Sequence, residues 1–538
     1  MEKHFKPRPV YVAASWMAPV GRYNGKEKQK LSFLELSEWG GEVFNDCPVR
    51  RRDIEAVIVG SQNPSAFSGV DNTAAKIAGI LGISGARSVL VDTASSSGAS
   101  AFESAYLEIA SGRYDSVLAL GVQKMSDAST LESTRIIAGV IDRDEAEFGL
   151  TMPACGALVA RALKERLELS DEEWTAYSAL LTQRSQRFAA LNPNAHLNVQ
   201  IELQDYYQQI ADGKNYPYWY PLRYHDFCPM SDGVAAVILT SIPQDVRVSG
   251  VGSATDIPTI ADRNYFHSFP ATVIAAGYAY GMAGIKDIRT FSGKLHVNMH
   301  DPFNGFGPIN MVDLGIVSRN RLMDALLDDS LTGENGAFPT NLTGGLKGRG
   351  HPLGATGMIQ IVENHQLINE RGFSAGLSHS IGGPINNNVV TLLERSDHYD
   401  ARAHERFKPW GLPSLGHMKP KGVNLEALLA KNTVVTGSFV TATVRSHHKT
   451  GVPEVVILIV ACRFEGSTYK FLFGISGEYY SQIAACTAGD PVSIESVNGS
   501  LLVNNLPVTR FYTRTMNGLV ELAGSSWKKL TGKGSAEI

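Results

Sequence analysis

Residues 344–357 read GGLKGRGHPLGATG, and no other part of the 538-residue chain says more about its fold. Six of these residues are glycine, so the backbone there can approach a ligand or another element closely. Pro352 restricts the conformation of His351, and a histidine held in such a loop is a credible general base or oxyanion donor. The stretch is not a phosphate-cradling loop, because no Gly-Lys-Ser/Thr follows at the required spacing.

A second segment joins a strand of buried type to a helix through a turn of small residues, and reads VDTASSSG at residues 91–98. A side chain at such a corner lies at the helix N-terminus, where unpaired N–H groups and the helix dipole favour negative charge. A nucleophile and an oxyanion hole are built in places of this kind. The plain alternative is that the small residues only permit close packing of helix on strand.

Two further histidines stand at predicted strand ends. His300 begins the sequence HDPF, and His379 begins HSIGGP. One histidine of this kind is more often structural than catalytic, but three of them near glycines and strand ends favour a shared site. In layered α/β folds the carboxyl ends of the strands are where sites form.

Short β-type runs alternate with helix-length amphipathic segments from about residue 10 to 395, which predicts an α/β fold with helices covering the sheet faces. The predicted strands are residues 10–15, 56–60, 88–92, 116–121 and 235–240, then 246–251, 295–300, 375–379 and 388–393. The series occurs twice, before and after about residue 245, which indicates an internal duplication.

Residues 123–230 interrupt the first series. They are helical at 172–191 and then rich in Tyr, Trp, Pro and Asn through 215–227. A long insertion without strand signals is usually a lid or a binding region, although a surface excursion that only packs is the alternative. The aromatic residues at 216–224 either line an acyl pocket or stack within the insertion.

The composition changes after residue 394. Residues 396–421 lack a sustained period and are predicted to be a linker. Five β-type runs follow, with turns at 450–451, 465–466 and 498–499, and they predict a small barrel of OB type that binds a ligand or docks a partner. The runs are residues 434–444, 455–463, 469–473, 492–497 and 501–503.

Charge and cysteine content exclude several classes of protein. Lys and Arg number 49 against 53 Asp and Glu, so the net charge of −4 gives no field that gathers nucleic acid. Five cysteines without a CxxC pair exclude a disulfide framework and a zinc ribbon. The longest apolar runs, such as 455–462, fall far short of the ~20 residues of a membrane helix. The sequence therefore predicts a cytoplasmic protein without a membrane span.

The four segments, in this order, resemble the thiolase superfamily, and the likeness extends over residues 9–395. It implies two βαβαβαββ halves in a five-layered α-β-α-β-α core. The implied division is residues 1–245, with 123–230 as an inserted loop domain, then 246–395, a linker at 396–430 and an OB-like barrel at 431–538. The resemblance also implies acyl-CoA substrates and Claisen chemistry without a bound cofactor or metal. It further implies a homodimer, with a protein partner possible through the barrel.

In a thiolase a cysteine at the position of Ser95 takes the acyl group, and the resemblance implies that His351 activates this nucleophile. His300 and His379 would place the enolate and move its proton. Backbone N–H groups of Ser95 and of Gly382 or Gly383 would form an oxyanion hole. The HDPF and HSIGG elements resemble those of the sterol-carrier-protein-type and archaeal branches.

The departures from the family pattern leave three functions open. Ser95 replaces the nucleophilic cysteine, Pro302 replaces the second cysteine of the sterol-carrier type, and Ser380 stands where asparagine follows the histidine. A serine hydroxyl, unlike a thiol, needs a base to remove its proton as it attacks. The chain is therefore expected to be a thiolase-type acyltransferase, a non-catalytic acyl-CoA-binding protein, or the acyltransferase component of a biosynthetic complex. The cysteines lie outside the catalytic motifs, at Cys47, Cys155, Cys228, Cys462 and Cys486.

Overall fold

The computed structural model describes residues 7–263, 266–401, 425, 429, 434–447, 450–464, 467–497, 500–512, 514–515, 518–519 and 522–523. The strands are β1 Tyr11–Met17, β2 Ala56–Gly60, β3 Arg87–Val91, β4 Ser116–Gln123, β5 Pro217–Trp219, β6 Leu222–Arg223, β7 Gly233–Thr240, β8 Val246–Thr255, β9 Leu295–Asn298, β10 Ala375–Gly382, β11 Asn387–Arg395, β12 Val434–Ser446, β13 Pro453–Phe464, β14 Ser467–Ser476, β15 Pro491–Val497, β16 Ser500–Val503, β17 Leu506–Tyr512, β18 Arg514–Thr515, β19 Gly518–Leu519 and β20 Leu522–Ala523.

The helices alternate with these strands in the first 400 residues. They are α1 Phe33–Glu38, α2 Pro64–Ser68, α3 Thr73–Ile80, α4 Ser97–Ala110, α5 Thr130–Ala138, α6 Arg143–Phe148, α7 Met152–Arg166, α8 Asp171–Ala189, α9 Leu203–Ala211, α10 Pro270–Ala283, α11 Phe306–Asp313, α12 Asp329–Thr332, α13 Gly345–Gly348, α14 Thr356–Arg371, α15 Ser396–Ala401 and, in the C-terminal part, α16 Tyr480–Ala484. All nine strands predicted before residue 395 are present.

The duplication is visible in the order of the strands. The first half runs β3-β2-β4-β7-β1 and the second runs β9-β10-β11-β8, and one residue pair, Tyr11 with Arg247, joins β1 to β8. In both halves the pairs at the outer edge of the sheet are parallel, and the two pairs nearest the junction of β1 with β8 are antiparallel. A parallel bridge between Val297 and Thr340 lies beside β9, where β3 lies in the first half. The two halves therefore share one topology.

Helices form three layers around these strands. The helices α4 and α14 contact strands of both halves, so they lie between them. On the outer faces, α1 and α3 pack against the first half and α10 packs against the second. This is the five-layered α-β-α-β-α arrangement, and it confirms the predicted fold class.

Glycines bring the two central helices into contact at their N-termini. A Cβ on Gly98 of α4 would lie 2.8 Å from the Met358 nitrogen, and one on Gly357 of α14 would lie 2.7 Å from the Ala99 nitrogen. Real Cβ contacts of that length are essentially never seen, so both positions require glycine. The turn that precedes α4 and the loop that precedes α14 consequently meet at one place.

The inserted region differs from the prediction that it lacks strands. It holds α5 to α9, and also β5 and β6, which extend the C-terminal sheet through the pairing of Trp219 with Arg445. Tyr220 donates its backbone N–H to the Val444 carbonyl at 2.9 Å. The aromatic segment therefore binds the barrel in addition to stacking on itself, as in the 5.5 Å contact of the Tyr216 and Tyr224 rings.

The C-terminal region is a closed antiparallel barrel of six strands within the part that the structure describes. The order is β12-β13-β14-β17-β16-β15, and β15 pairs with β12 to close it. The sequence predicted five strands and missed β17, in which Pro507 and Arg510 interrupt the apolar pattern. The predicted turn at 450–451 lies beside β13, whereas those at 465–466 and 498–499 and most of the predicted linker lie outside the described residues.

One arginine joins the barrel to the inserted region. Arg161 of α7 is buried and donates to the carbonyls of Cys486 at 2.8 Å and of Ile483 and Ala442 at 3.4 Å each. Its guanidinium also lies over the Phe439 ring at 5.0 Å. The barrel is thus fixed on α7 by groups from three of its segments.

None of the described helices combines the length and apolar character needed to span a membrane.

Candidate active site

Ser95 lies in a strained turn between β3 and α4. The preceding residue, Ala94, has a φ of 58°, a left-handed conformation that costs a non-glycine residue about 1–3 kcal/mol. Ala94 donates its N–H to the Asp92 carboxylate at 2.9 Å, and Thr93 donates to the Ser97 hydroxyl at 3.0 Å. These bonds hold the turn, and Ser95 is left partly exposed two residues before the first residue of α4.

His351 is held at the N-terminal side of α14 by two hydroxyl groups. Its Nδ1 is 2.8 Å from the Thr356 hydroxyl, and its backbone N–H donates to the Ser231 hydroxyl at 3.2 Å. The ring is 5 % exposed, and burial, helped by the charge of Arg349, lowers its pKa to about 3. The imidazole is therefore neutral at pH 7, with Nε2 as the nitrogen that Thr356 leaves free.

His300 meets His351 directly. The ring centroids are 5.0 Å apart and the rings are nearly perpendicular, at 85°. Burial, the two other histidines and Arg349 hold the pKa of His300 well below 6.5. Its Nδ1 is buried and has no hydrogen-bond partner among the described residues. The structure therefore brings two of the three predicted histidines into contact.

His379 has a different setting. Its Nε2 lies 3.2 Å from the Thr272 hydroxyl of α10 and 3.4 Å from Asn388 Oδ1 of β11. Because α10 covers the outer face of the second half, the His379 ring lies on the side of β10 away from α4. Burial lowers its pKa to about 4. His379 is within electrostatic reach of His300, whose pKa it lowers, but it belongs to the layer behind the His300–His351 pair.

The alternate residues of β10 face the helices that carry Ser95 and His351. A Cβ on Gly382 would lie 2.0 Å from the Thr93 carbonyl and 2.4 Å from the Ser96 hydroxyl, so Gly382 packs directly on the turn that holds Ser95. Ser380, on the same face, lies 2.9 Å from the position of a Cβ on Gly357. Gly383 has a φ of 59° and turns the chain away from this contact.

A buried charged cluster behind the site was not predicted. Lys347 donates to Asn304 Oδ1, and burial lowers its pKa to about 8, although the negative charges of Asp301 and Asp226 act to raise it. Asp301 accepts a 2.7 Å bond from the Leu346 N–H and follows His300 in the chain. The cluster thus ties the His300 segment to the His351 loop. The lysine at position 347, within the glycine-rich stretch, was the one feature of the sequence that pointed to this charged cluster.

Arg349 was missed in the same way. Its side chain is fully buried, and its guanidinium lies 3.5 Å from the Glu363 carboxylate of α14. It lowers the pKa of both His300 and His351 and thereby favours their neutral forms. A charged residue in a loop of glycines was visible in the sequence, but its burial was not.

No described thiol replaces the missing cysteine. Burial raises the pKa of Cys228 and of Cys462 to about 12, and it also raises those of Cys47, Cys155 and Cys486. Cys228 does lie beside the HDPF segment, because its backbone N–H donates to the Pro302 carbonyl at 2.9 Å. A thiol of raised pKa is a poor nucleophile at neutral pH.

Over the described residues, no group of three or more His, Cys, Asp or Glu is arranged to hold a metal ion.

Two family profiles match the chain. The profile for the thiolase N-terminal domain matches residues 10–201, and the profile described as thiolase C-terminal domain-like matches residues 252–395. Together they cover more than half of the chain.

Curated and solved relatives agree with these matches. Acetyl-CoA acetyltransferase of Methanothermobacter thermautotrophicus is 32% identical over 387 residues, which cover 68% of this chain and 95% of that protein. Sterol carrier protein 2 of Bos taurus is 27% identical over 353 residues, 60% of this chain and 62% of that one. The crystal structure of a monomeric SCP2-thiolase like protein type 1 from Mycobacterium smegmatis superposes with a TM-score of 0.65 at 18% identity, covers 92% of this chain and 99% of its own, and shows the same fold. The chain belongs to the thiolase superfamily.

Proposed function

We propose that this thiolase-type acyltransferase forms an acyl ester on Ser95 from an acyl-CoA and then transfers the acyl group in a Claisen condensation, or runs the reverse thiolytic cleavage. One observation carries the proposal: the Ser95 turn, the His351 loop and Gly382 meet where α4 and α14 touch. Relatives named acetyl-CoA acetyltransferase support acyl-CoA thioesters as substrates.

In the first step, the Ser95 hydroxyl attacks the thioester carbonyl while His351 Nε2 takes the hydroxyl proton. The carbon–sulfur bond breaks, and CoA leaves as a thiol with the proton that His351 held. In the second step, His300 takes a Cα proton from another acyl-CoA, and the carbanion attacks the carbonyl carbon of the Ser95 ester. The ester carbon–oxygen bond breaks, and the Ser95 oxygen takes up that proton, which restores the hydroxyl. His300 would also bind the enolate oxygen, and its contact with His351 supports this role.

The negative charge on the thioester oxygen needs donors. We assign them to the backbone N–H of Ser95, at the N-terminus of α4, and to that of Gly382 or Gly383 at the end of β10. The close packing of Gly382 on the Thr93–Ser96 turn supports this assignment. His379 is the third of the predicted catalytic histidines, and its electrostatic effect on His300 supports including it in the site.

The low pKa of His351 makes it a weak base before substrate binds. As the oxyanion forms beside the ring, opposite charge favours the imidazolium and raises this pKa. Serine gains less than cysteine from a helix N-terminus, so the expected acylation is slow compared with that of a thiol enzyme.

A non-catalytic acyl-CoA-binding protein is the second candidate. The observation in its favour is that burial raises the pKa of each described thiol, so no cysteine substitutes for Ser95. A role as the acyltransferase component of a biosynthetic complex, with a partner on the barrel, stays a prediction. So do the domain limits at residues 245, 395 and 430 and the cytoplasmic location.

We also propose a homodimer formed through β3. This strand is the last of the first half, and no described strand pairs with its outer edge. Leu90 on β3 is 38 % exposed, and such an edge is a template for pairing with a second copy.

Replacing His351 tests the proposed function. His351→Ala should abolish CoA release from acyl-CoA while CoA binding, measured by calorimetry, is kept. The matched control is His365→Ala, because His365 is half-buried and also neutral at pH 7 but bonds to Ser15 on β1. CoA release that survives in His351→Ala at the wild-type rate would refute the role of His351.

A further inference from the structure

The hydrogen bonds around His379 determine which of its nitrogens carries the proton. Asn388 donates its Nδ2 to the Ile385 carbonyl at 3.1 Å, so its Oδ1 is the atom that faces Thr272. Thr272 has one hydroxyl proton and lies 2.8 Å from this Oδ1, which can only accept. The Thr272 proton is therefore used on Asn388.

Both oxygens near His379 Nε2 are thereby acceptors. The Thr272 oxygen, at 3.2 Å, has given its proton to Asn388, and Asn388 Oδ1, at 3.4 Å, has none to give. A neutral imidazole that faces two acceptors must donate, and it has a single N–H. We infer that Thr272 and Asn388 hold His379 with its proton on Nε2 and its lone pair on Nδ1, and thus are positioning residues of the active site.

The other edge of the His379 ring carries Nδ1. His379 Nδ1 is buried and has no hydrogen-bond partner among the described residues. The same is true of His300 Nδ1. With the proton fixed on Nε2, this buried Nδ1 edge of His379 keeps its lone pair and can only accept a hydrogen bond. For its catalytic meaning this rests on the proposed function, but the proton position itself does not.

The proton position is measured on the intact wild-type chain by ¹⁵N-histidine NMR at pH 7, and the His379 signals are identified by their loss in His379→Gln. The expected result is a protonated Nε2 and an unprotonated Nδ1. In Thr272→Val this preference should weaken, and in Thr272→Ser it should persist. A proton on Nδ1 in the wild type, or a Thr272→Val spectrum unchanged at His379, would overturn the inference.

The catalytic consequence is measured in the form that shows turnover, wild type or Ser95→Cys. Thr272→Val should lower kcat about tenfold with KM unchanged, and Thr272→Ser should restore it. The control is Thr175→Val on α8, which removes an exposed hydroxyl bonded to the Asp171 carbonyl. Equal kcat in the Val and Ser variants of Thr272 would contradict a positioning role. If no form turns over while Nε2 is protonated, the proposed function fails and the inference on the proton stands.

Discussion

The His300 and His351 rings stand perpendicular to one another with centroids 5.0 Å apart, although 51 residues separate them in the chain. His300 follows β9 and His351 precedes α14, so the carboxyl end of a strand and the N-terminal side of a helix meet at this contact. Both rings are buried and carry lowered pKa values, and two imidazolium ions could not share this space. The site is therefore built for neutral imidazoles that receive protons during the reaction.

Stability should fall in mild acid because the folded chain buries neutral histidines. Burial lowers the pKa of His296, His365 and His379 to about 4 and that of His351 to about 3. The unfolded chain binds protons at these residues near pH 6.5, so stability is lost as pH falls from 6.5 toward 4, by about 2 kcal/mol per histidine at pH 5.

Urea unfolding at pH 7 and pH 5 measures this loss. His365→Gln, which removes one of the four groups away from the site, should reduce the difference between the two pH values by about 2 kcal/mol. Equal midpoints at pH 7 and pH 5 in the wild type would contradict the burial of neutral rings.

Gly382→Ala should disable the Ser95 turn. The new Cβ would lie 2.0 Å from the Thr93 carbonyl, so the turn or β10 must move, at a cost of about 1–3 kcal/mol. Acyl-adduct formation should be lost while CoA binding remains. The control is Gly79→Ala, since a Cβ there meets nothing within 4 Å. Adduct formation at the same rate in both variants would show that this contact does not hold the turn.

Lys347→Met should destabilise the folded protein by removing the charge of the buried cluster next to the site. The substitution leaves the buried carboxylates of Asp301 and Asp226 without the Lys347 charge that favours their ionised forms, and a buried charge left uncompensated typically costs about 3–5 kcal/mol. Thermal unfolding should shift to lower temperature, whereas Lys214→Met, at an exposed pair with Asp212, should leave it unchanged. A Lys347→Met protein as stable as the Lys214 variant would rule out a structural role for the cluster.

Arg161→Ala should loosen the barrel. The change removes the donor for the carbonyls of Cys486, Ile483 and Ala442, and each buried acceptor left unpaired costs about 1–3 kcal/mol. Hydrogen exchange should become faster in the barrel strands and stay the same in β2 and β4. Arg143→Ala, which removes only an exposed pair with Glu147, is the control. Unchanged exchange in the barrel of the Arg161 variant would show that other contacts hold it.

The sequence predicted the core because each of its strands is a local signal. Apolar runs such as Ala56–Gly60 are buried on both faces, and glycines such as Gly98 mark contacts that admit no side chain. The motif order then allowed a family resemblance, and with it the positions of Ser95, His300 and His351. Pairings between distant segments could not be predicted in this way.

The features that the sequence did not predict all depend on contacts between distant segments. β5 pairs with the barrel, more than 200 residues away in the chain, and β6 pairs with β5. Strand alternation placed His379 and Ser380 on opposite faces of β10, but which face meets α4 depends on the layer order. The charges of Lys347 and Arg349 were visible, whereas their burial follows from packing against other segments.

The most direct test of the acyl-enzyme compares the wild type with Ser95→Ala and Ser95→Cys. Each is incubated with a panel of acyl-CoAs, and intact mass and released CoA are recorded together. The account predicts a slow adduct of one acyl group on the wild type, a faster one on Ser95→Cys and none on Ser95→Ala. An adduct-free wild type that still binds CoA, beside an acylated Ser95→Cys, would contradict serine as the acyl acceptor and leave a thiolase scaffold without its nucleophile.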